Sequence, residues 1–287
     1  MASIGHFAKI LALSAALAAT GAGAAAAGTL DTVRQDKTIR LAVRADAPPF
    51  SYRDVGGEPA GFMVDLCRAV ATGLAAQLNL DQLKVVFVPV TAEDRFDAIE
   101  TGKADLLCEP TSATLSRREK VDFSIPTFVD GASLLVKGEG PSDLAALAGK
   151  KVGVLGGTTT EKGLRDTLAT LKINAEVVPA ATHEDGIKQL EDGAVAAYFA
   201  DRAILAWLAS KASDPSKLRL ANDYLSIEPY ALALPRGDSD FRLAVDRALS
   251  HIYNGGGIAL VFAKTFGPQM QPSETIKTLY LVSALPD

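Results

Sequence analysis

Apolar residues in this chain fall into two alternating patterns. Short continuous runs, "TIRLAVRA" (38–45), "LKVVFVPV" (83–90) and "ADLLC" (104–108), have the length of buried strands. Between them the apolar positions spread to helical spacing. "FMVDLCRAVATGLAAQL" (62–78) repeats Phe62, Leu66, Val70 and Leu74 on one face, and "AEDRFDAIETGK" (92–103) predicts a short helix stopped at Gly102. A second series follows the same scheme. "KKVGVLGGTTTEKGLRDTLATL" (150–171) reads as strand, glycine turn and helix; "AEVVPA" (175–180) as a strand; "HEDGIKQLEDG" (183–193) as a helix ended by Gly193. "VAAYFADRAILAWLA" (195–209) is a strand running into a helix. "YALALPRGD" (230–238) is a late strand, and 239–267 is helical with a glycine break. The alternation predicts an α/β protein of two tandem units, each a mainly parallel sheet flanked by helices, joined by "FVDGASLLVKGEG" (128–140).

Composition narrows the class. The chain has 287 residues, a formal net charge of -5 and 48% apolar residues, enough for two domains with sizeable cores. A mildly acidic balance with no basic run argues against a nucleic-acid partner. The first 27 residues carry one charge, Lys9, then an apolar stretch and a small-residue tail. That is the layout of a signal peptide cleaved near Ala27, and the apolar part is short for a membrane span. The mature protein is therefore expected to be exported, soluble and monomeric. Export permits a disulfide between Cys67 and Cys108. Two buried free thiols are the alternative, and two cysteines without clustered histidines make no zinc site. No metal and no cofactor are expected.

Two stretches place chemistry at strand ends. "CEPTSATLSRREKVDFS" (108–124) follows a buried strand with four hydroxyls and two arginines. "LGGTTTEKG" (155–163) opens a helix, whose unpaired N–H groups suit an anion, although its threonines also serve as plain caps. It lacks the phosphate-loop pattern. A serine hydrolase is disfavoured too: there is no G-x-S-x-G, and past the leader only His183 and His251 remain.

These segments, in their order, resemble an extracellular solute-binding protein of the polar amino-acid family (family 3). The matching pieces are "APPFSYRDVGGEPAGFMVDL" (47–66), "TAEDRFDAIETGKADLL" (91–107), "SATLSRREKVDFSIPTF" (112–128), "GKKVGVLGGTTTE" (149–161) and "AYFADRAIL" (197–205). The chain is most similar to glutamate/aspartate-binding proteins of ABC importers. The resemblance implies a type II periplasmic-binding-protein fold with a two-segment hinge. Lobe 1 would take 28–129 and 231–287, and lobe 2 would take 130–230. It also implies a small-molecule amino-acid ligand, a permease partner in the inner membrane and a periplasmic location.

The site residues follow from matching that family position by position. A buried zwitterion needs both of its charges neutralised. Arg117 would grip the α-carboxylate in the two-point manner of guanidinium, helped by Thr111, Ser112, Thr159 and, less directly, Thr158. Asp201 would hold the α-ammonium; read by pattern alone, it is a helix N-cap. Arg44 and Arg95 would receive a second, side-chain carboxylate, with His183 beside them. Phe50, Tyr52 and Tyr230 would form walls. Three positions depart from the family: Met63 replaces an acid, Pro110 a donor-bearing serine, and Glu109 a small residue. A Glu109 inside the pocket would repel an acidic ligand or bind an ammonium. Two other functions share the scaffold. One is an exported dehydratase of the cyclohexadienyl dehydratase kind, with Glu109 as general acid. The other is a chemosensory or accessory protein that kept the fold.

Overall fold

The computed structural model describes residues 28–141, 143–222 and 224–286; the expected leader, 1–27, lies outside the described residues. The chain runs α1 (Thr29–Asp36), β1 (Thr38–Val43), β2 (Asp46–Ala47), β3 (Ser51–Arg53), β4 (Pro59–Ala60), α2 (Phe62–Gln77), β5 (Lys84–Pro89), α3 (Arg95–Glu100) and β6 (Leu106–Leu107). It continues through β7 (Val121–Asp130), β8 (Ala132–Lys137), β9 (Lys151–Leu155), α4 (Thr159–Thr170), β10 (Glu176–Ala180), α5 (His183–Glu191) and β11 (Ala197–Asp201). Last come α6 (Arg202–Lys211), β12 (Leu218–Leu220), β13 (Glu228–Pro235), α7 (Ser239–Asn254), α8 (Gly257–Phe266) and α9 (Glu274–Ser283).

Two five-stranded sheets define two lobes. The first has the order β5-β1-β6-β13-β7 and the second β10-β9-β11-β8-β12. In each, three strands run parallel, β5-β1-β6 and β10-β9-β11. Parallel neighbours need a crossover, and the helices α2, α3, α4 and α5 supply it. The other half of each sheet is antiparallel, so the sheets are mixed where the alternation alone suggests a mainly parallel pattern. The antiparallel half is where the chain changes lobes. β7 passes into β8 through Gly131, and the chain returns between β12 and β13. At Gly131 a Cβ would sit 1.8 Å from the Ser226 carbonyl oxygen, so the two crossing segments approach too closely for any side chain. β7 and β13 pair across the crossing, with Asp130 opposite Glu228.

α2 shows how pattern becomes packing. Its Phe62, Leu66, Val70 and Leu74 are fully buried in the same core as Phe241, Val245 and Leu249 of α7. Burial of each such side chain contributes roughly 1.5–3 kcal/mol. Cys67 on the same helix is bonded to Cys108, just past β6, with Cα atoms 6.1 Å apart. The bridge closes a separation of 41 residues. On a chain-entropy account it stabilises the fold by about 4 kcal/mol. The disulfide, not the pair of free thiols, is what the fold contains, and it fixes the strand end that carries the next residue, Glu109.

Candidate ligand site between the lobes

Chain segments that leave β1, β5, β6, β9, β10 and β11 point into one cleft, as strand carboxyl ends do in open α/β sheets. They bring Arg44, Arg95, Ser112, Arg117, Thr158, Thr159, His183 and Asp201 around a single cavity. The lobes touch across it: Ser112 Oγ lies 3.2 Å from Thr159 Oγ1, and Arg95 Nη2 donates to the Gly157 carbonyl at 3.3 Å. The space is narrow, with a cavity volume of ≈20 Å³ open to the centres of water-sized molecules.

One end of the cavity carries Arg117 and Asp201. Arg117 opens a short helical turn whose start is fixed by Thr114 Oγ1, which accepts from the Arg117 N–H at 3.2 Å. Its Nη1 donates to the Ser112 carbonyl at 2.8 Å, and its guanidinium lies 5.2 Å from the centre of the Phe96 ring. Among the described residues it makes no ion pair with a carboxylate. Burial holds its pKa below the usual arginine value, with nearby acids opposing that shift. Arg117 is half-buried and Asp201 buried. Asp201 sits at the N-cap position of α6 without capping it. The cap bond comes instead from Asp130, whose Oδ2 accepts from the Ala203 N–H at 2.9 Å. Asp201 accepts from the Tyr230 hydroxyl and, at 3.2 Å, from Thr160 Oγ1. Burial, reinforced by the charges of Glu228 and Asp130, pushes its pKa up to about 7. A half-buried cation and a buried carboxyl group thus line one cavity, each hydrogen-bonded but neither in a direct ion pair. An α-carboxylate and an α-ammonium would satisfy both, and the first-turn N–H groups of α4 add an anion-favouring dipole.

The other end is different. Arg44 and Arg95 are almost fully buried, and so is Glu109 between them. Glu109 Oε2 lies 3.5 Å from Arg44 Nη1, and Oε1 lies 3.4 Å from Arg95 Nε. Asp46 Oδ1 accepts from Arg44 Nε at 2.9 Å. Burial lowers the Arg95 pKa to about 10, and the charge of Glu109 limits the fall. His183 Nδ1 is 3.0 Å from the Tyr198 hydroxyl. Burial first, then the charge of Arg44, lowers its pKa to about 3, so its imidazole is neutral at neutral pH.

The architecture has known counterparts. The model of the bacterial extracellular solute-binding proteins, family 3, matches residues 39–268. The chain belongs to this family. Among its curated relatives, the glutamate/aspartate import solute-binding protein of Escherichia coli (strain K12) is 32% identical over 264 residues, 91% of this chain and 87% of the relative. The L-glutamate/L-aspartate-binding protein of Pseudomonas aeruginosa PAO1 is 32% identical over 247 residues, covering 85% and 82%. A crystal structure of the ancestral amino acid-binding protein AncCDT-1, a precursor of cyclohexadienyl dehydratase, superimposes with a TM-score of 0.73 at 28% identity, over 83% of this chain and 99% of that one. Relatives of this solute-binding family are amino-acid-binding components of importers, and their setting is extracellular or periplasmic.

Within the family frame, some expected wall residues lie elsewhere. Phe50 is fully buried in an aromatic cluster with Phe62, Phe128, Tyr230 and Phe266, so it packs the core and lines no part of the cavity. Tyr52, two residues on, packs against Trp207 with ring centres 5.6 Å apart and planes tilted by 45°, at a different edge of the cleft. Tyr230 stands behind Asp201 and orients it. Thr111 is buried beneath the cavity wall, its Oγ1 without a hydrogen-bond partner. Thr158 caps α4, accepting from the Glu161 N–H at 3.1 Å, while also lining the cavity. The apolar walls are Leu155, Phe199 and Ile204. Glu228 is the site residue that sequence reasoning missed. It accepts from the hydroxyls of Ser112, Thr159 (2.6 Å) and Ser226 (2.8 Å), and so ties the lobes at the hinge. Its one sequence signal is an acid opening the apolar run "EPYALALP".

Proposed function

We propose that this protein is the periplasmic substrate-binding component of an ABC importer, closing around a free amino acid and presenting it to an inner-membrane permease. The observation that carries the reading is the pair Arg117 and Asp201. Asp201 is buried and Arg117 half-buried, they are opposite in charge, and both line one cavity between two hinged lobes. Arg117 receives the α-carboxylate, Asp201 the α-ammonium. Ligand bound to both lobes favours the closed arrangement by its differential affinity for it. The names of the curated relatives, together with Arg44 and Arg95 at the far end, support a side chain of the size of glutamate, aspartate or their amides. The leader, cleaved near Ala27, would deliver the chain to the periplasm.

The dehydratase reading needs a general acid that reaches substrate. Glu109, the candidate, is buried between two guanidiniums and lines no part of the cavity. This favours a binding protein over an enzyme. Calorimetry with a panel of amino acids, on protein refolded to strip bound solute, tests the function. Saturable binding of at least one amino acid is expected, and Arg117→Ala should remove it. Absence of binding by every amino acid would sink the proposal.

A further inference from the structure

The far end of the cavity already holds its own anions. Arg44 comes from the end of β1, Asp46 from β2, Arg95 from the start of α3 and Glu109 from the loop after β6. Asp46 Oδ1 lies 2.8 Å from Arg44 Nη2, and Glu109 bridges towards both arginines. His183 of α5 adds no charge at neutral pH. The two arginines that line this end and the two anions paired to them from behind the wall therefore cancel in charge. We propose that Glu109 stands in for the side-chain carboxylate of an acidic ligand, so that the pocket selects an amino acid with an uncharged, hydrogen-bonding side chain over glutamate and aspartate. The inference rests on the amino-acid reading above.

The reasoning is electrostatic. A second ligand carboxylate would enter a buried, already neutral cluster and leave one negative charge uncompensated, which low-dielectric surroundings penalise heavily. A carboxamide brings no net charge. Its carbonyl can accept from Arg95, whose Nη1 is buried without a hydrogen-bond partner. An ammonium side chain would meet two guanidiniums at the cavity wall. Pro110, which lines the cavity in place of a donor-bearing residue, contributes no N–H to hold a carboxylate.

The test uses two near-isosteric pairs. Binding of glutamine against glutamate, and asparagine against aspartate, is measured by calorimetry at neutral pH on the refolded protein. At least one amide should bind about 10-fold or more tightly than its acid, a difference of roughly 1.4 kcal/mol. Glu109→Gln should move that ratio towards the acid by a similar factor. Should that variant fail to fold, Glu109→Gly serves the same purpose, and the wild-type ratios alone already decide the matter. Failure of both amides to bind more tightly than their acids in the wild type would overturn the inference while leaving the amino-acid function intact. A ratio unmoved in a folded Glu109 variant would overturn the role given to that residue. No binding of any amino acid would overturn the function itself, and this inference with it.

Discussion

The two ends of the cavity contain the same kinds of side chain in opposite states. At one end a half-buried Arg117 and a buried Asp201, whose pKa burial pushes up to about 7, make no direct ion pair. At the other, Arg44 and Arg95 are buried charges with Glu109 and Asp46 already at hand. The first arrangement is costly until a zwitterion arrives, so it converts ligand binding into stability. The second is balanced in charge by itself, though Arg95 Nη1 is left without a hydrogen-bond partner, so it stabilises the fold and shapes selectivity. Buried arginine alone does not mark a ligand contact; what matters is whether the protein supplies the partner.

Removing Arg117 should break the comparison most sharply. Arg117→Ala takes away the two-point grip on the α-carboxylate, and loss of one partner from a buried charge pair costs about 2–5 kcal/mol. Calorimetry should show every amino acid bound at least ~100-fold more weakly, since about 2.8 kcal/mol separates two decades. Chemical denaturation of the unliganded protein should show a smaller loss than for Arg95→Ala, because Arg117 makes no direct ion pair and only the more distant charges of Glu109, Glu228 and Asp201 favour it. A normal affinity with a fall in stability would reverse the roles assigned to the two ends.

Arg95→Ala is the mirror experiment. It leaves Glu109 buried with Arg44 as its remaining partner, so the effect should appear in folding. About 3 kcal/mol of unfolding free energy should be lost, the low end for breaking a buried pair. Affinity for an uncharged amino acid should fall less than in Arg117→Ala. If urea unfolding shows wild-type stability, the two arginines are not held by internal charge and the contrast between the ends dissolves.

Asp201 sharpens the comparison through pH. Its folded pKa is raised from 3.8 to about 7, so between these values the folded, unliganded protein holds a proton that the unfolded chain has released. Stability from this group is full below the unfolded value and is lost as pH rises through about 7. Asp130, raised to about 6, acts in the same direction. Ligand ammonium favours ionised Asp201, so binding below that pH should release a proton and weaken as pH falls. Asp201→Asn should weaken binding by about 2 kcal/mol or more and flatten this dependence. Calorimetry in buffers of different ionisation enthalpy reads the proton directly; equal heats in all buffers at acidic pH would contradict the assignment.

Much of this was legible in the sequence, for identifiable reasons. Strand and helix periods give the parallel half of each sheet because β1-α2-β5 and β9-α4-β10 are local units. The antiparallel half was not legible, since Phe128 and Tyr230 pair across about a hundred residues of chain and no local pattern announces it. The charged site residues stood out as exceptions to apolar surroundings. The aromatic ones did not separate by pattern: Phe50 and Tyr52 lie in the same short segment, yet one enters the core and the other meets Trp207. Glu228 opens a strand, where an acid usually faces solvent. Only the hinge crossing turns it towards Ser112 and Thr159. Glu109 was conspicuous in sequence as a departure, but its two arginine partners come from β1 and α3 and become visible only in three dimensions.

The smallest expected effect tests a threonine that has two possible roles. Thr158 lines the cavity, but its hydroxyl donates to the Leu155 carbonyl at 2.8 Å and its oxygen accepts from the Glu161 N–H. Both its proton and its accepting site are thereby engaged in starting α4. Thr158→Ala should therefore cost about 1 kcal/mol of stability, the usual loss for an N-cap. Thr158→Ser should restore most of it, because serine caps as well. Affinity for the best amino acid should move by no more than a few-fold in either variant. A tenfold loss in Thr158→Ala, recovered in Thr158→Ser, with unfolding unchanged, would show that this hydroxyl turns from the helix to the ligand. The end of the cavity at Arg117 would then extend one residue further along α4.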